Sequence, residues 1–168
     1  MTPPTTTIVP ATLEHLDRYR ACLDAVAREG RWLALGQAPS IEQTRAFMAN
    51  ILAGNGVQVF AVAGDRVLGW ADIVRPPHAA TRHAGELGMG VLKSHRGQGL
   101  GRALIERAIA EAWALGLSRI ALDVRVDNHA AMALYESVGF VHEGTRRASH
   151  CQDGCYHDAH VMGLQRQD

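Results

Sequence analysis

Val91-Leu-Lys-Ser-His-Arg96-Gly-Gln-Gly99-Leu-Gly101-Arg102 is the stretch that decides the fold. The residues before it read as a strand, and those after it repeat at helical spacing. Between them lies a turn with glycine at 97, 99 and 101. Successive backbone N–H groups in such a turn point outward, and the dipole of the next helix adds positive potential. Together they bind pyrophosphate without needing net charge. Glycine is required where a side chain would block the phosphate, and Arg96 and Arg102 are placed to add charge-assisted hydrogen bonds. A turn with packing value only is the plainer alternative. The strand–turn–helix order, with arginine at the mouth, favours the anion site. It is not a Walker A loop, because no Gly-Lys-Ser/Thr ends it, nor is it G-x-G-x-x-G.

Working outward, the helix spans about Gly99 to Leu115, with Leu104, Ile105, Ala108, Ile109, Ala112 and Trp113 as its buried stripe. Arg102–Glu106 and Arg107–Glu111 are four-apart ion pairs on its wet side. Upstream, His83 to Leu92 reads as a strand, and its Gly85, Gly88 and Gly90 suggest a bulge or a close backbone approach. Val57–Ala63 and Arg66–Val74 flank Gly64-Asp65 as a hairpin. Before them come a strand over Thr5–Val9, closed by Pro10, and two helices opened by Thr12 and Ser40. Downstream, Arg119–Val126 is a strand, Asp127 or Asn128 caps a helix to Val138, and 140–146 and 156–164 read as a final pair. The order predicts one α/β domain over 1–168, a mixed sheet with helices for both faces. Strict strand–helix alternation, the mark of a dinucleotide fold, is missing.

Composition narrows the partners. The chain has 168 residues, near the roughly 150 expected of one domain. Residues are 47% hydrophobic and 20% charged, enough for a sizeable core. Lys+Arg and Asp+Glu are both 17. That balance argues against nucleic acid or an anionic membrane held by bulk charge. Lys93 is the only lysine. Three cysteines, Cys22, Cys151 and Cys155, are no disulfide framework. The Met1–Thr7 start lacks signal-peptide regions, and no window approaches the roughly 18 apolar residues of a membrane helix. These features predict a soluble, cytoplasmic protein.

A second constellation is Asn128-His-Ala-Ala-Met-Ala-Leu-Tyr135-Glu-Ser-Val-Gly139-Phe140. Asn128 and Tyr135 are two helical turns apart on one face, with Ala131 and Met132 between. Alone, this is an ordinary helix with a cap and a half-buried tyrosine. Together with Arg96-x-x-Gly99-x-Gly101, it resembles the two consecutive acyl-CoA motifs of the GNAT superfamily of N-acetyltransferases. The resemblance is close from about 57 to 164. The segments around Glu86 and from Glu143 to Asp158 are most similar to bacterial members acting on free amino acids or similar small amines.

The resemblance implies a mostly antiparallel sheet with two splayed strands and helices on both faces. Acetyl-CoA would lie in the splay as co-substrate, with no metal. Its pantetheine arm would pair with Met89, Gly90 and Val91, whose backbone offers an oxyanion donor. Arg96, Gly97, Gln98, Gly99, Leu100, Gly101 and Arg102 would hold the pyrophosphate. Asn128 and Ala131 would meet the pantetheine arm. Tyr135 would be the acid that protonates the leaving thiolate. Glu86 is the first candidate base, directly or through water. It lies five residues before Val91, where many relatives have six, and one residue changes the face of a regular strand. His83 and Asp158 are the alternatives, and Glu86 as an ammonium anchor stays open.

The expected acceptor is a small primary amine. Protein N-termini or lysines, and an acyl-CoA-binding module without turnover, are the competing readings. A homodimer is admitted by resemblance only. Cys151, Cys155, His157 and His160 fit no common zinc spacing. Trp32, Trp70 and Trp113 are expected in the core, and Lys93 is a candidate contact for a CoA phosphate.

Overall fold

The computed structural model describes residues 5–167. The Met1–Pro4 start, read above for a signal segment, lies outside the described residues. Seven strands form one sheet: β1 (Thr7–Pro10), β2 (Gly56–Ala63), β3 (Arg66–Val74), β4 (Ala84–Val91), β5 (Arg119–Arg125), β6 (Val141–Gln152) and β7 (Cys155–Gln165). Their order is β1-β2-β3-β4-β5-β7-β6. All neighbours are antiparallel except β4 and β5. The helices are α1 (Leu16–Ala27), α2 (Ile41–Asn50), α3 (Leu100–Ala114) and α4 (His129–Ser137).

Both sheet faces are covered, so β2 and β3 are buried along most of their length instead of alternating cleanly with solvent. One core joins Val59, Ile73, Leu104, Ile105, Leu117 and Ile120 around α3. The other sets Phe60 and Trp70 against Tyr19, Leu23 and Met48 of α1 and α2. Leu104 is fully buried; truncating such a residue to alanine costs about 2–5 kcal/mol. Ser40 caps α2 as read, with Gln43 N–H donating to Ser40 Oγ (3.2 Å) and Ser40 N–H to Gln43 Oε1 (3.0 Å). Arg102–Glu106 (2.9 Å) and Arg107–Glu111 (2.6 Å) line α3 as expected.

The feature that makes a site is the short parallel pairing of β4 and β5. It covers only Ala84–Arg119, Gly85–Ile120 and Glu86–Ala121. Beyond Glu86 the two strands part. In contrast, β4 stays in unbroken register with β3 from Val74–Glu86 to Gly69–Val91. The suggested bulge at Gly88 and Gly90 is therefore absent, while the close approach is real. A Cβ on Gly90 would meet the Trp70 ring at 2.3 Å, and one on Gly88 would meet Asp72 Oδ1 at 3.1 Å. Side chains of β3 lie across these glycines.

Other boundaries moved for local reasons. Pro10 belongs to β1, on the sheet edge where a missing N–H is tolerated. The final hairpin is longer than read, because β6 slips register between Arg146 and His150. Ala148 takes φ +50° there, and its N–H donates to Asp158 Oδ1 at 2.8 Å.

Candidate active site

The parting of β4 and β5 opens a cavity of about 420 Å³, completed by the start of α3 and one face of α4. Met89, Gly90 and Val91 line it from β4, Arg96, Gly97, Gly99, Gly101 and Arg102 from the turn, and Asn128, Ala131 and Tyr135 from α4. Residues spread over 47 positions of sequence therefore share one wall system.

Gly97 and Gly99 have φ +72° and +82°, the left-handed region that L side chains rarely adopt. An added Cβ on either meets nothing within 4 Å, so their demand is conformational and the space over them is open. Gly99 is also the N-cap of α3, with no side chain capping it. An anion fits that helix start by its charge and acceptors. At Gly101 the reason is packing: a Cβ would meet Leu134 Cδ2 at 3.2 Å and Met89 Cε at 3.6 Å.

The two arginines have different partners. Arg96 forms a bidentate pair with Glu29, two residues past the end of α1 (2.9 and 2.7 Å), and its Nε donates to the Val91 carbonyl at 2.9 Å. That guanidinium fastens the turn to α1. Arg102 pairs with Glu106 and donates to Ser137 Oγ at 2.9 Å, at an exposed position on the cavity rim. Gln98 and Leu100 lie outside the lining. Gln98 Nε2 donates to the Ser94 carbonyl at 3.2 Å, and Leu100 packs against the α3 core. Lys93 borders a separate depression with Arg66 and Ser94.

Asn128 Oδ1 accepts the Ala131 N–H at 3.2 Å, so the capping role is realised. Tyr135 is 9% exposed and stands in the cavity wall, 5.9 Å from the Phe140 ring centre. Burial pushes its hydroxyl up to about 12. It stays protonated at neutral pH.

A second, larger cavity of about 730 Å³ adjoins the first, and Leu33 and Met89 line both. Tyr19, Leu23, Leu35, Phe47 and Trp70 give it an apolar wall, and Asp72 is the charged residue in its lining. Asp72 lies in one cross-strand row with Gln58 and Gly88. It is 7% exposed. Burial pushes its carboxyl up to about 7; the Gln58 amide and Trp70 indole oppose this, and the Glu86 charge adds to it.

The three bases read from sequence are elsewhere. Glu86 shares the Asp72 face of the sheet but is exposed and lines neither cavity. His83 is exposed before β4. Asp158 holds the Ala148 N–H. Asp72 was missed, although a lone carboxylate within Val67-Leu-Gly-Trp-Ala-Asp72-Ile-Val74 is a readable signal. An apolar strand buries a charge only for a reason. Trp32 was misread as core: it is half-buried in the wall of the smaller cavity, with the Arg31 guanidinium 4.4 Å from its ring centre. Trp70 and Trp113 do join the cores. Among the described residues, no group of three or more His, Cys, Asp or Glu is placed to hold a metal, and no helix is long and apolar enough to cross a membrane.

Comparison with known proteins agrees with this geometry. The acetyltransferase (GNAT) family model matches residues 23–140. N-alpha-acetyltransferase RimI of Mycobacterium tuberculosis is 35% identical over 121 residues, 70% of this chain and 71% of that protein. [Ribosomal protein bS18]-alanine N-acetyltransferase of Escherichia coli is 45% identical over 67 residues, 40% of this chain. The match spans 45% of the length of that Escherichia coli relative. A GNAT-family acetyltransferase from Streptococcus pneumoniae superposes with a TM-score of 0.91 at 27% identity, covering 96% of this chain and all of the other. The chain belongs to the acetyltransferase (GNAT) family.

Proposed function

We propose that this chain, as a single catalytic domain over 1–168, transfers an acetyl group from acetyl-CoA to the primary amine of a small molecule. The observation that carries the reading is the pair of adjoining cavities. One is lined by both motifs, and the other is a mainly apolar chamber with one carboxylate. The open space over Gly97 and Gly99, at an uncapped helix start, fits a pyrophosphate.

Acetyl-CoA, when bound, supplies an activated acetyl thioester. The turn from Gly97 to Gly101 holds the phosphates through backbone N–H groups, with Arg102 at the rim. Arg96 acts indirectly, by fixing the turn to Glu29. Met89 to Val91 present backbone to the acetyl end, and a donor there stabilises developing negative charge on the carbonyl oxygen. Asn128 and Ala131 border the arm. Tyr135 gives its proton to the leaving sulfur, and its buried hydroxyl keeps that proton until then. The acceptor amine enters from the second cavity.

A second reading is acetylation of protein N-termini, and a specific observation favours it: two relatives carry names of that activity. The deciding experiment is thiol release from acetyl-CoA, followed with small amines, free amino acids and peptides beginning with alanine. Release with small amines and none with peptides supports the first reading. The reverse pattern replaces it. Tight acetyl-CoA binding without release from any acceptor would leave a binding module.

A further inference from the structure

We propose that Asp72 receives the acceptor's ammonium in the larger cavity and accepts its proton, and that the acceptor is a primary amine on an apolar body without a neighbouring carboxylate. This rests on the transferase reading above.

Placement comes first. Asp72 lies in the cavity wall beside Gly88, one residue from Met89, where the two cavities meet. The missing Cβ at Gly88 leaves the space that Asp72 Oδ1 occupies. Among the described residues, no lysine, arginine or histidine forms a salt bridge with Asp72. Its row neighbour Gln58 is also buried and carries no charge. A buried carboxylate with no internal cation, facing a cavity, is an unmet electrostatic demand. An incoming ammonium meets it.

The rest of the wall sets the substrate class. Leu23, Leu33, Leu35, Phe47 and Trp70 suit an apolar body. No lysine, arginine or histidine lines this cavity among the described residues. A free α-amino acid would bring its own carboxylate beside Asp72 with no cation to receive it. The geometry thus selects amines over the amino acids that the sequence suggested.

The step balances simply. The ammonium N–H bond breaks and its proton passes to an Asp72 oxygen. The freed nitrogen pair forms the N–C bond to the acetyl carbon while the C–S bond breaks, and the sulfur takes the Tyr135 proton. The new amide then loses its extra N–H proton, which restores the tyrosine through solvent, and Asp72 releases the proton it took to solvent. The titratable groups facing Asp72 are Tyr19 from α1 and Glu86 from β4; α2 presents Gln43 and Thr44, which carry no charge. Burial holds Tyr19 well above the ordinary phenol range, so it stays neutral. The acid limb of kcat/KM therefore belongs to Asp72, and activity rises as it ionises.

The test uses phenethylamine, its β,β-difluoro analogue (a much weaker base) and L-phenylalanine as acceptors. Asp72→Asn should lower kcat/KM for phenethylamine by about 100-fold and for the difluoro analogue by less than about tenfold. Acetyl-CoA affinity should stay within about twofold, which also reports folding. Wild-type kcat/KM should favour phenethylamine over L-phenylalanine by more than about tenfold. Glu86→Gln should move the acid limb to lower pH, a result readable even where Asp72→Asn fails to fold. Equal losses for the two amines would overturn the proton-acceptor role, and equal use of L-phenylalanine would overturn the acceptor class. A wild type that releases no thiol with any acceptor sinks the transferase reading instead. Calorimetry with phenethylammonium then decides Asp72 alone: binding lost in Asp72→Asn upholds it, while binding retained, or absent in the wild type, overturns it.

Discussion

The two cavities meet at Met89 and Leu33 but are built on opposite principles. The smaller one is made largely of backbone: a glycine turn, a helix start and a strand that leaves its neighbour. Its demands are conformational, so few residue types satisfy them and they read as motifs. The larger one is made of side chains from α1, α2, β3 and the segment between the helices. Its shape depends on packing between distant elements, and many sequences make an apolar wall. Under the proposed function, the cofactor side is legible and the acceptor side is not, for that reason.

The sharpest way to break the contrast is Gly99→Val. A β-branched residue at φ +82° is strained and would stand over the helix start. Acetyl-CoA affinity should fall by more than about 100-fold in a calorimetric titration, with the thermal transition still cooperative. Unchanged affinity would remove the turn from the cofactor site. Tyr135→Phe comes next. It should lower kcat by roughly 100-fold while acetyl-CoA Kd moves less than about threefold. Rapid-quench turnover beside equilibrium binding separates the two, and an equal loss in both would make Tyr135 a packing residue.

Legibility followed the same division. The succession of strands and helices along the chain and the cap at the start of α4 were readable because each rests on local chemistry: hydrophobic period, glycine stops and capping side chains. The commitment of Arg96 to Glu29 was not, since the partners are 67 residues apart. The use of Asp158 to hold the Ala148 N–H was not legible either, because the β6 slip behind it depends on two strands pairing out of step. Glu86 was favoured by its motif position, yet β4 continues without a bulge and leaves it exposed. Asp72 became significant only when the fold set an apolar chamber around it.

Asp72 also predicts a stability signature that separates the two cavities. Its folded-state carboxyl sits near 7, above the unfolded value, so the folded protein holds the proton more tightly. Stability is therefore highest below the unfolded value and falls as pH rises toward 7. Asp72→Asn removes that loss. The variant should gain on the order of 2–3 kcal/mol over wild type at about pH 8 relative to about pH 5, measured by urea unfolding without ligand. Stability gained with activity lost is the pattern of a functional residue held at structural expense. A flat difference across pH would mean that water reaches Asp72 freely.

The smallest effect concerns the wall the cavities share. Arg125 is 7% exposed and donates to both Asp127 oxygens (2.9 and 2.7 Å) and to the Arg31 carbonyl (2.9 Å). It also contacts Gln152, whose Nε2 donates to the Leu33 carbonyl at 3.3 Å. These bonds strap residues 31–33 to β5 and the final hairpin. Trp32 and Leu33 line the smaller cavity, while 33–35 and 37–39 contribute to the larger one proposed for the acceptor. More of the strapped segment's continuation therefore bounds the acceptor side. Arg125→Met keeps the apolar stem and removes the donors. It should raise the amine KM by about three- to tenfold and acetyl-CoA Kd by less than about threefold. Were acetyl-CoA affinity to fall further than amine affinity, the strap would belong to the cofactor cavity, and the backbone-built side of the site would depend on long-range packing after all.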